Sequence, residues 1–190
     1  HQQITQDDLN SLYEYEKIES LLSKLEGQKK TFLEVGAGAG RTSKVILSVN
    51  DNVKYVIADL PPAINVSFKN IKSLFPNKKI KKCFDLDEKN LNIAFEENDI
   101  LFIFPHQIKF FPKKTFDISL AIDCLHEMDK RIIKDYMINF ERVSNILYFK
   151  VWEYAGLPYS FYQHYSAHEK KDYFIKDHWK EHFKVRCAYP

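Results

Sequence analysis

The sequence has few cysteines, no long apolar run and no strong excess of either charge. Its three cysteines form no CxxC pair, which favours reduced thiols in a cytoplasmic protein over a disulfide framework. No apolar run approaches the ~20 residues that a membrane span needs, and no signal-peptide apolar segment opens the chain. The 28 Lys and Arg residues nearly balance 26 Asp and Glu residues. We therefore expect neither a membrane span nor a nucleic-acid partner.

What the sequence does contain is typical of a soluble globular protein. Hydrophobic residues make up 45% of the 190 positions and charged residues 28%, which predicts one folded domain over 1–190. We expect an N-terminal helix within 1–27, a ligand-binding core over 31–152 and an aromatic-rich part over 153–190. The first residue is His1, which is consistent with a fragment of a longer chain. Nothing in the sequence indicates the oligomeric state.

Short apolar runs alternate with longer amphipathic segments, which is typical of α/β proteins. The pattern predicts strands over 31–35, 55–58, 100–104, 116–122 and 146–151. It predicts a helix over 7–26 that Asp7-Asp8 can cap. Further helices are predicted after the glycine-rich segment, from Pro61–Pro62 to about residue 75, and over 131–143. The apolar side of the first helix is predicted to consist of Leu9, Leu12, Tyr13, Ile18, Leu21, Leu22 and Leu25. This order predicts a Rossmann-like fold whose mostly parallel sheet binds ligands at the carboxyl ends of its strands.

Three of the five glycines, Gly36, Gly38 and Gly40, lie within five residues of one another, directly after the first predicted strand. Glycine allows backbone to approach a ligand closely and to adopt positive φ. A dinucleotide-binding GxGxxG motif would need glycine at position 41, where Arg41 stands, and no Gly-Lys-Ser/Thr of a phosphate-binding loop follows. The spacing therefore argues against both NAD and a P-loop nucleotide.

Two acidic residues flank this loop at the ends of neighbouring predicted strands. Glu34 precedes the glycines and could direct a carboxylate into the crevice, where it would favour a ligand with ammonium and sulfonium groups over a pyrophosphate. Asp59 ends the second strand, where an acidic side chain can accept hydrogen bonds from ribose hydroxyls. The alternative is that both are solvated acids at strand ends.

The acidic residue followed by GxGxG resembles the first motif of class I S-adenosylmethionine-dependent methyltransferases, and the resemblance covers about residues 31–152. Later segments resemble a narrower group, the bacterial sugar O-methyltransferases. These are Asp59-Leu60-Pro61-Pro62-Ala63, Pro105-His106-Gln107, Asp123-Cys124-Leu125-His126-Glu127-Met128 and Tyr148-Phe149-Lys150-Val151-Trp152. The resemblance implies S-adenosylmethionine as cofactor, S-adenosylhomocysteine as product and a small-molecule or glycan substrate.

On this resemblance, we expect cofactor contacts from a set of residues at the predicted strand ends: Glu34, Gly36, Ala37, Gly38, Gly40, Arg41, Asp59, Leu60, His106, Gln107, Asp123 and Cys124. One position departs from the broad class, in which an acidic residue near the third strand holds the adenine amino group. Here Pro105-His106-Gln107 stands at that place, and Gln107 could supply an amide contact instead.

His126 is the leading candidate for a general base, because it follows the fourth strand and histidine titrates near neutral pH. Glu127 could orient the imidazole or bind a substrate hydroxyl. The alternative is that both residues only cap the next helix. Asp123, His126 and Glu127 could also hold a divalent cation, and the pairs His164/His168 and His178/His182 could bind zinc if they are helical. We favour a site without metal.

Other interpretations remain open at this point. Aromatic residues after the last strand could stack on a sugar or form core or lid: Trp152, Tyr154, Tyr159, Phe161, Tyr162 and Tyr165. Asp59-Leu60-Pro61-Pro62 superficially resembles the acidic Pro-Pro motif of DNA amino-methyltransferases, but that motif belongs after the fourth strand. A non-catalytic module that binds S-adenosylmethionine would keep the loop and Asp59 and would not need His126.

Overall fold

A computed structural model describes residues 5–25, 27, 29–152 and 168–185. Its strands are β1 (Lys30–Val35), β2 (Val53–Ala58), β3 (Ile80–Lys82), β4 (Ile100–Ile103), β5 (Phe116–Ile122) and β6 (Ser144–Lys150). Its α-helices are α1 (Gln6–Leu22), α2 (Arg41–Val49), α3 (Ala63–Leu74), α4 (Glu88–Glu97) and α5 (Lys130–Val143).

The six strands form one sheet in the order β3-β4-β2-β1-β5-β6, and every neighbouring pair is parallel. Parallel neighbours require crossovers, which the helices provide on both faces. The predicted Rossmann-like α/β fold is therefore confirmed. β1 pairs with β2 on one side and with β5 on the other. The chain adds β2, β3 and β4 on one side of β1 and then adds β5 and β6 on the other side, so the strand order reverses between β1 and β5. Ligands bind at such switch points.

The strands are apolar because both faces of the sheet are covered. Leu33, Val35 and Val56 lie in one core with α4 and α5. Phe32, Tyr55 and Ile57 lie in a second core with α1, α2 and α3. Successive side chains of a strand point to opposite faces, which places Glu34 on the same face as Phe32. This alternation decides which helices each acidic strand-end residue meets.

Helix α1 differs from the prediction in its cap and in its buried side. Thr5, not Asp7 or Asp8, caps the helix and forms a capping box with Asp8. Leu9, Leu12 and Tyr13 were predicted on the apolar side, but they are exposed. The helix instead buries Ser11 and Glu14 toward the sheet, followed by Ile18, Leu21 and Leu22. The buried stripe is thus polar in its first half and apolar in its second.

The interval between α3 and β4 contains two elements that the sequence pattern did not predict. β3 is a three-residue edge strand that carries exposed Lys81 and Lys82, so it has no apolar run to reveal it. Helix α4 is capped by the Asp87 side chain and buries only Leu91, Ala94 and Phe95. Both elements contain too few buried side chains to produce a clear periodicity.

The aromatic residues Tyr154, Tyr159, Phe161, Tyr162 and Tyr165 lie outside the described residues. Among the residues that are described, no helix is long and apolar enough to cross a membrane.

Candidate functional site

The glycine loop lies at the carboxyl end of β1, and its three glycines have different surroundings. All three adopt positive φ: 69° at Gly36, 57° at Gly38 and 81° at Gly40. A Cβ added to Gly36 would lie 2.6 Å from the Cβ of Cys124, whereas a Cβ on Gly40 would meet Ser43 at 3.2 Å. A Cβ on Gly38 would meet nothing within 4 Å. Gly36 and Gly40 therefore serve packing, and Gly38 borders open space.

Asp59 follows β2 and contacts the glycine loop directly. Its Oδ2 accepts a hydrogen bond from the Gly38 N–H at 2.9 Å, and its Oδ1 accepts one from the Leu60 N–H at 2.7 Å. Leu60 itself is 61% exposed. The two hydrogen bonds therefore hold the carboxylate in a fixed orientation beside the open space at Gly38. The exposed apolar side chain of Leu60 lies next to it in the sequence.

Glu34 lies beneath the loop rather than at its surface, because it is only 2% exposed. Its Oε2 accepts a hydrogen bond from the Tyr55 hydroxyl at 2.8 Å. Burial raises the pKa of Glu34 to about 7, against the opposing effect of the Tyr55 hydrogen bond and the charge of Arg41. The side chain can therefore change its protonation state near neutral pH, which a solvated strand-end acid would not do.

Asp123 directly follows β5 and has a left-handed φ of 54°. Its Oδ2 accepts hydrogen bonds from Arg41 at 3.2 Å and from Lys150 at 2.9 Å. Its Oδ1 is buried and has no hydrogen-bond partner among the described residues. The adjacent Cys124 donates its thiol proton to the Val35 carbonyl at 3.2 Å, and burial raises the pKa of this thiol. Cys124 is thus a packing residue against Gly36.

His126 lies in a short 3-10 turn, Leu125–Glu127, and its ring is stacked on Trp152 with centroids 5.0 Å apart. The residue is 4% exposed, and its Nδ1 is buried with no hydrogen-bond partner in the described part of the chain. Burial lowers the pKa of His126, which favours the neutral imidazole. Neither His126 nor the exposed Glu127 caps the next helix, because Asp129 is the N-cap of α5 and accepts from Arg131.

The segment after β4 does not offer the amide that was expected at the adenine position. Gln107 is 1% exposed, and its Nε2 donates to the carbonyls of Cys83 and Leu86 at 2.7 and 3.0 Å. Its Oε1 accepts from the Phe104 N–H. Both ends of the amide are therefore used to connect the segment after β3 to the segment after β4. His106 is exposed.

No group of three His, Cys, Asp or Glu side chains that could hold a metal occurs within residues 5–25, 27, 29–152 and 168–185. Asp123 instead forms ion pairs with the side chains of Arg41 and Lys150. His178 lies in a turn rather than a helix and bonds to Glu141 at 2.7 Å, so its i, i+4 spacing to His182 does not bring the rings together on one helix face. His164 lies outside the described residues.

Three residues of the site were given no role in the sequence-based prediction: Glu14, Lys150 and Tyr55. Glu14 is 3% exposed in its side chain and lies 3.4 Å from Arg41 and 3.2 Å from Lys150. A signal for Glu14 was present, because positions 11, 14, 18, 21 and 22 follow a helical stripe. The contact between Tyr55 and Glu34 depends on how the strands align, which no local pattern reveals.

Among known proteins, this chain is similar only to solved structures, at low sequence identity. The pyocyanin biosynthetic protein PhzM matches with a TM-score of 0.44 and 18% identity over 67% of this chain and 34% of that one. An O-methyltransferase family protein from Burkholderia thailandensis matches with a TM-score of 0.43 and 17% identity over 70% and 35%. Phosphoethanolamine N-methyltransferase 1 from Haemonchus contortus, solved with S-adenosylhomocysteine, matches with a TM-score of 0.45 and 14% identity over 75% and 25%.

This chain thus spans about a third or less of the length of these structures. No protein-family model and no curated protein matches the sequence. These identities are too low to assign the chain to a family.

Proposed function

We propose that this chain is an S-adenosylmethionine-dependent methyltransferase that methylates a hydroxyl of a sugar or another small molecule. The observation that carries the proposal is the open space at Gly38 beside the carboxylate of Asp59, at the carboxyl edge of the parallel sheet, where Asp123 also follows a strand. A backbone segment without side chains leaves room for a nucleoside to approach closely. Carboxylates nearby favour the binding of a positively charged ligand. An NAD or P-loop ligand would instead bring negative phosphates toward these acids.

The residues present fit such a cofactor. Asp59 is positioned to accept hydrogen bonds from ribose hydroxyls, and the exposed Leu60 offers an apolar surface beside it. The unpartnered Oδ1 of Asp123 is an acceptor for an ammonium group. Glu34 contributes negative charge from below the loop. We also assign Gly36, Ala37, Gly40, Arg41 and Cys124 to the wall of this site, and we assign Gln107 to its structural support.

When bound, S-adenosylmethionine supplies the methyl group in activated, positively charged form. The chain's own task is to align the acceptor hydroxyl and to remove its proton. We assign proton removal to His126, whose lowered pKa keeps the imidazole neutral, and such a base contributes about 10²–10⁴-fold to the rate. Glu127 is exposed beside it and is assigned to hydrogen-bond a substrate hydroxyl.

A second candidate is a module that binds the cofactor without catalysis. It is favoured by the burial of His126, which is 4% exposed and stacked on Trp152, because a base must reach its substrate. In that case the stack would only stabilise the turn after β5.

Isothermal titration calorimetry with S-adenosylmethionine and S-adenosylhomocysteine tests the shared part of both proposals, and we expect saturable binding of each. A screen of sugars and nucleotide sugars for methyl transfer, with wild type and His126→Ala, separates the two. Turnover that His126→Ala abolishes while binding persists supports the enzyme. Absence of binding to wild type would refute both proposals.

A further inference from the structure

Four charged side chains form a network between helix α1 and the carboxyl edge of the sheet. Arg41 Nη2 lies 3.2 Å from Asp123 Oδ2, and Arg41 Nη1 lies 3.4 Å from Glu14 Oε2. Lys150 Nζ lies 2.9 Å from Asp123 Oδ2 and 3.2 Å from Glu14 Oε1. Each cation therefore contacts both carboxylates. Ser11, which is fully buried, accepts a further bond from Arg41 Nη1 at 3.0 Å.

This network adjoins the glycine loop. Arg41 follows Gly40 directly and begins α2. Asp123 precedes Cys124, whose side chain packs on Gly36. The charges of Arg41 and Glu14 also act on the buried carboxyl of Glu34. The four side chains thus belong to the electrostatic surroundings of the proposed cofactor site, although Glu14 comes from a helix outside the strand-loop-helix unit.

Glu14 is the only one of the four whose side chain is almost completely buried: 3% exposed, against 22–32% for the other three. Burial raises the pKa of Glu14, and Arg41 and Lys150 act against this increase. The network holds two positive and two negative groups, so its net charge is zero when all four are ionised. Removal of Glu14 would leave two cations and one carboxylate beside the site.

We propose that Glu14 is a specificity-determining residue that sets the preference of this site for the positively charged donor over its uncharged-sulfur product. S-adenosylmethionine carries one more positive charge than S-adenosylhomocysteine, and the two otherwise share the same groups. A change of network charge therefore alters their affinity ratio, whereas general damage to the site weakens both. This inference rests on the proposed function.

The test measures the dissociation constants of both ligands by calorimetry at pH 8. Glu14→Gln should raise the ratio Kd(S-adenosylmethionine)/Kd(S-adenosylhomocysteine) by about three- to tenfold, the size of a single-charge effect at an effective dielectric near ~20. Lys150→Met removes a cation and should lower the ratio by a similar factor. The double variant restores neutrality and should return the ratio toward that of wild type.

Glu16→Gln is the matched control, because Glu16 lies on the same helix with its side chain 67% exposed, and it should leave the ratio unchanged. Thermal unfolding establishes that each variant is folded. Equal ratios in wild type, Glu14→Gln and Lys150→Met would overturn the inference while leaving the proposed function intact. Failure of wild type to bind either ligand would instead overturn the proposed function.

Discussion

The backbone N–H of Gly38 donates a hydrogen bond of 2.9 Å to the carboxylate of Asp59. This bond joins the loop after β1 to the end of β2, so one acidic side chain supports the loop conformation and borders its open side. The second carboxylate oxygen accepts from the Leu60 N–H at 2.7 Å. Each oxygen retains acceptor capacity, since a carboxylate offers about four lone-pair sites.

Asp59→Ala is therefore expected to weaken S-adenosylhomocysteine binding by about 1–3 kcal/mol, the cost of losing hydrogen bonds to a charged group. Calorimetry measures the loss, and thermal unfolding measures any effect on the loop. Asp177→Ala is the control, because Asp177 is an exposed carboxylate in the C-terminal segment. Equal affinity of Asp59→Ala and wild type would remove Asp59 from the site.

Gly38→Val is expected to abolish cofactor binding, because its side chain would occupy the open space beside the loop. Gly27→Val is a matched control: Gly27 also has positive φ, at 95°, and also has nothing within 4 Å of an added Cβ. Both substitutions introduce backbone strain, so a comparable fall in thermal stability is expected. Calorimetry should detect a loss of binding in Gly38→Val alone. Retained affinity in that variant would contradict the loop assignment.

The affinity for S-adenosylmethionine is expected to rise as pH increases from 6 to 8. The pKa of Glu34 is raised by burial to about 7, and a cationic ligand binds better to the carboxylate than to the protonated acid. Calorimetry in buffers of different ionisation enthalpy measures the proton released on binding. Glu34→Gln should remove this release, and Glu97→Gln at an exposed position should not. The same measurement with S-adenosylhomocysteine serves as the reference. This ligand carries the same titrating amino-acid group, so it corrects for the pH dependence that comes from the ligand itself.

Folding stability should show the opposite trend with pH. The folded pKa of Glu34 lies above its ordinary value of 4.5, so the folded chain holds this proton more tightly than the unfolded chain. The stabilisation is fully present below pH 4.5 and is lost as pH rises through about 7. Urea unfolding between pH 5 and 8 measures this trend as the difference between wild type and Glu34→Gln. A constant difference across that range would show that Glu34 does not titrate there.

The strands were predictable because their residues are apolar on both faces. The predicted bounds of β5, 116–122, agree with the structure, since a strand covered by helices on both sides forms a continuous apolar run. The edge strand β3 is covered much less and carries two exposed lysines, so its pattern resembles a loop. Predictability of an element thus followed its degree of burial.

The site was predictable only where the chemistry is local in sequence. The glycines and Asp59 follow predicted strands, and the parallel sheet brings strand ends together. Glu14 is distant in sequence and lies on a helix whose polar stripe is buried because Arg41 and Lys150 face it. Gln107 was expected to face a ligand, but its amide connects backbone groups that follow β3 and β4. Such pairings depend on tertiary contacts that periodicity does not encode.

Trp152→Ala is expected to raise the pKa of His126 toward its ordinary value near 6.5. Burial lowers this pKa, and the indole of Trp152, stacked at 5.0 Å with an interplanar angle of 17°, covers one face of the imidazole. Removing the indole admits water, which stabilises the imidazolium, whereas Trp152→Phe retains an aromatic cover and should keep the pKa low. The C–H resonances of His126, followed by NMR during a pH titration and assigned with His126→Ala, report the pKa directly and require no substrate. An unchanged pKa in Trp152→Ala would mean that other groups around the 3-10 turn desolvate the ring, and the stack would then have no part in keeping the proposed base neutral.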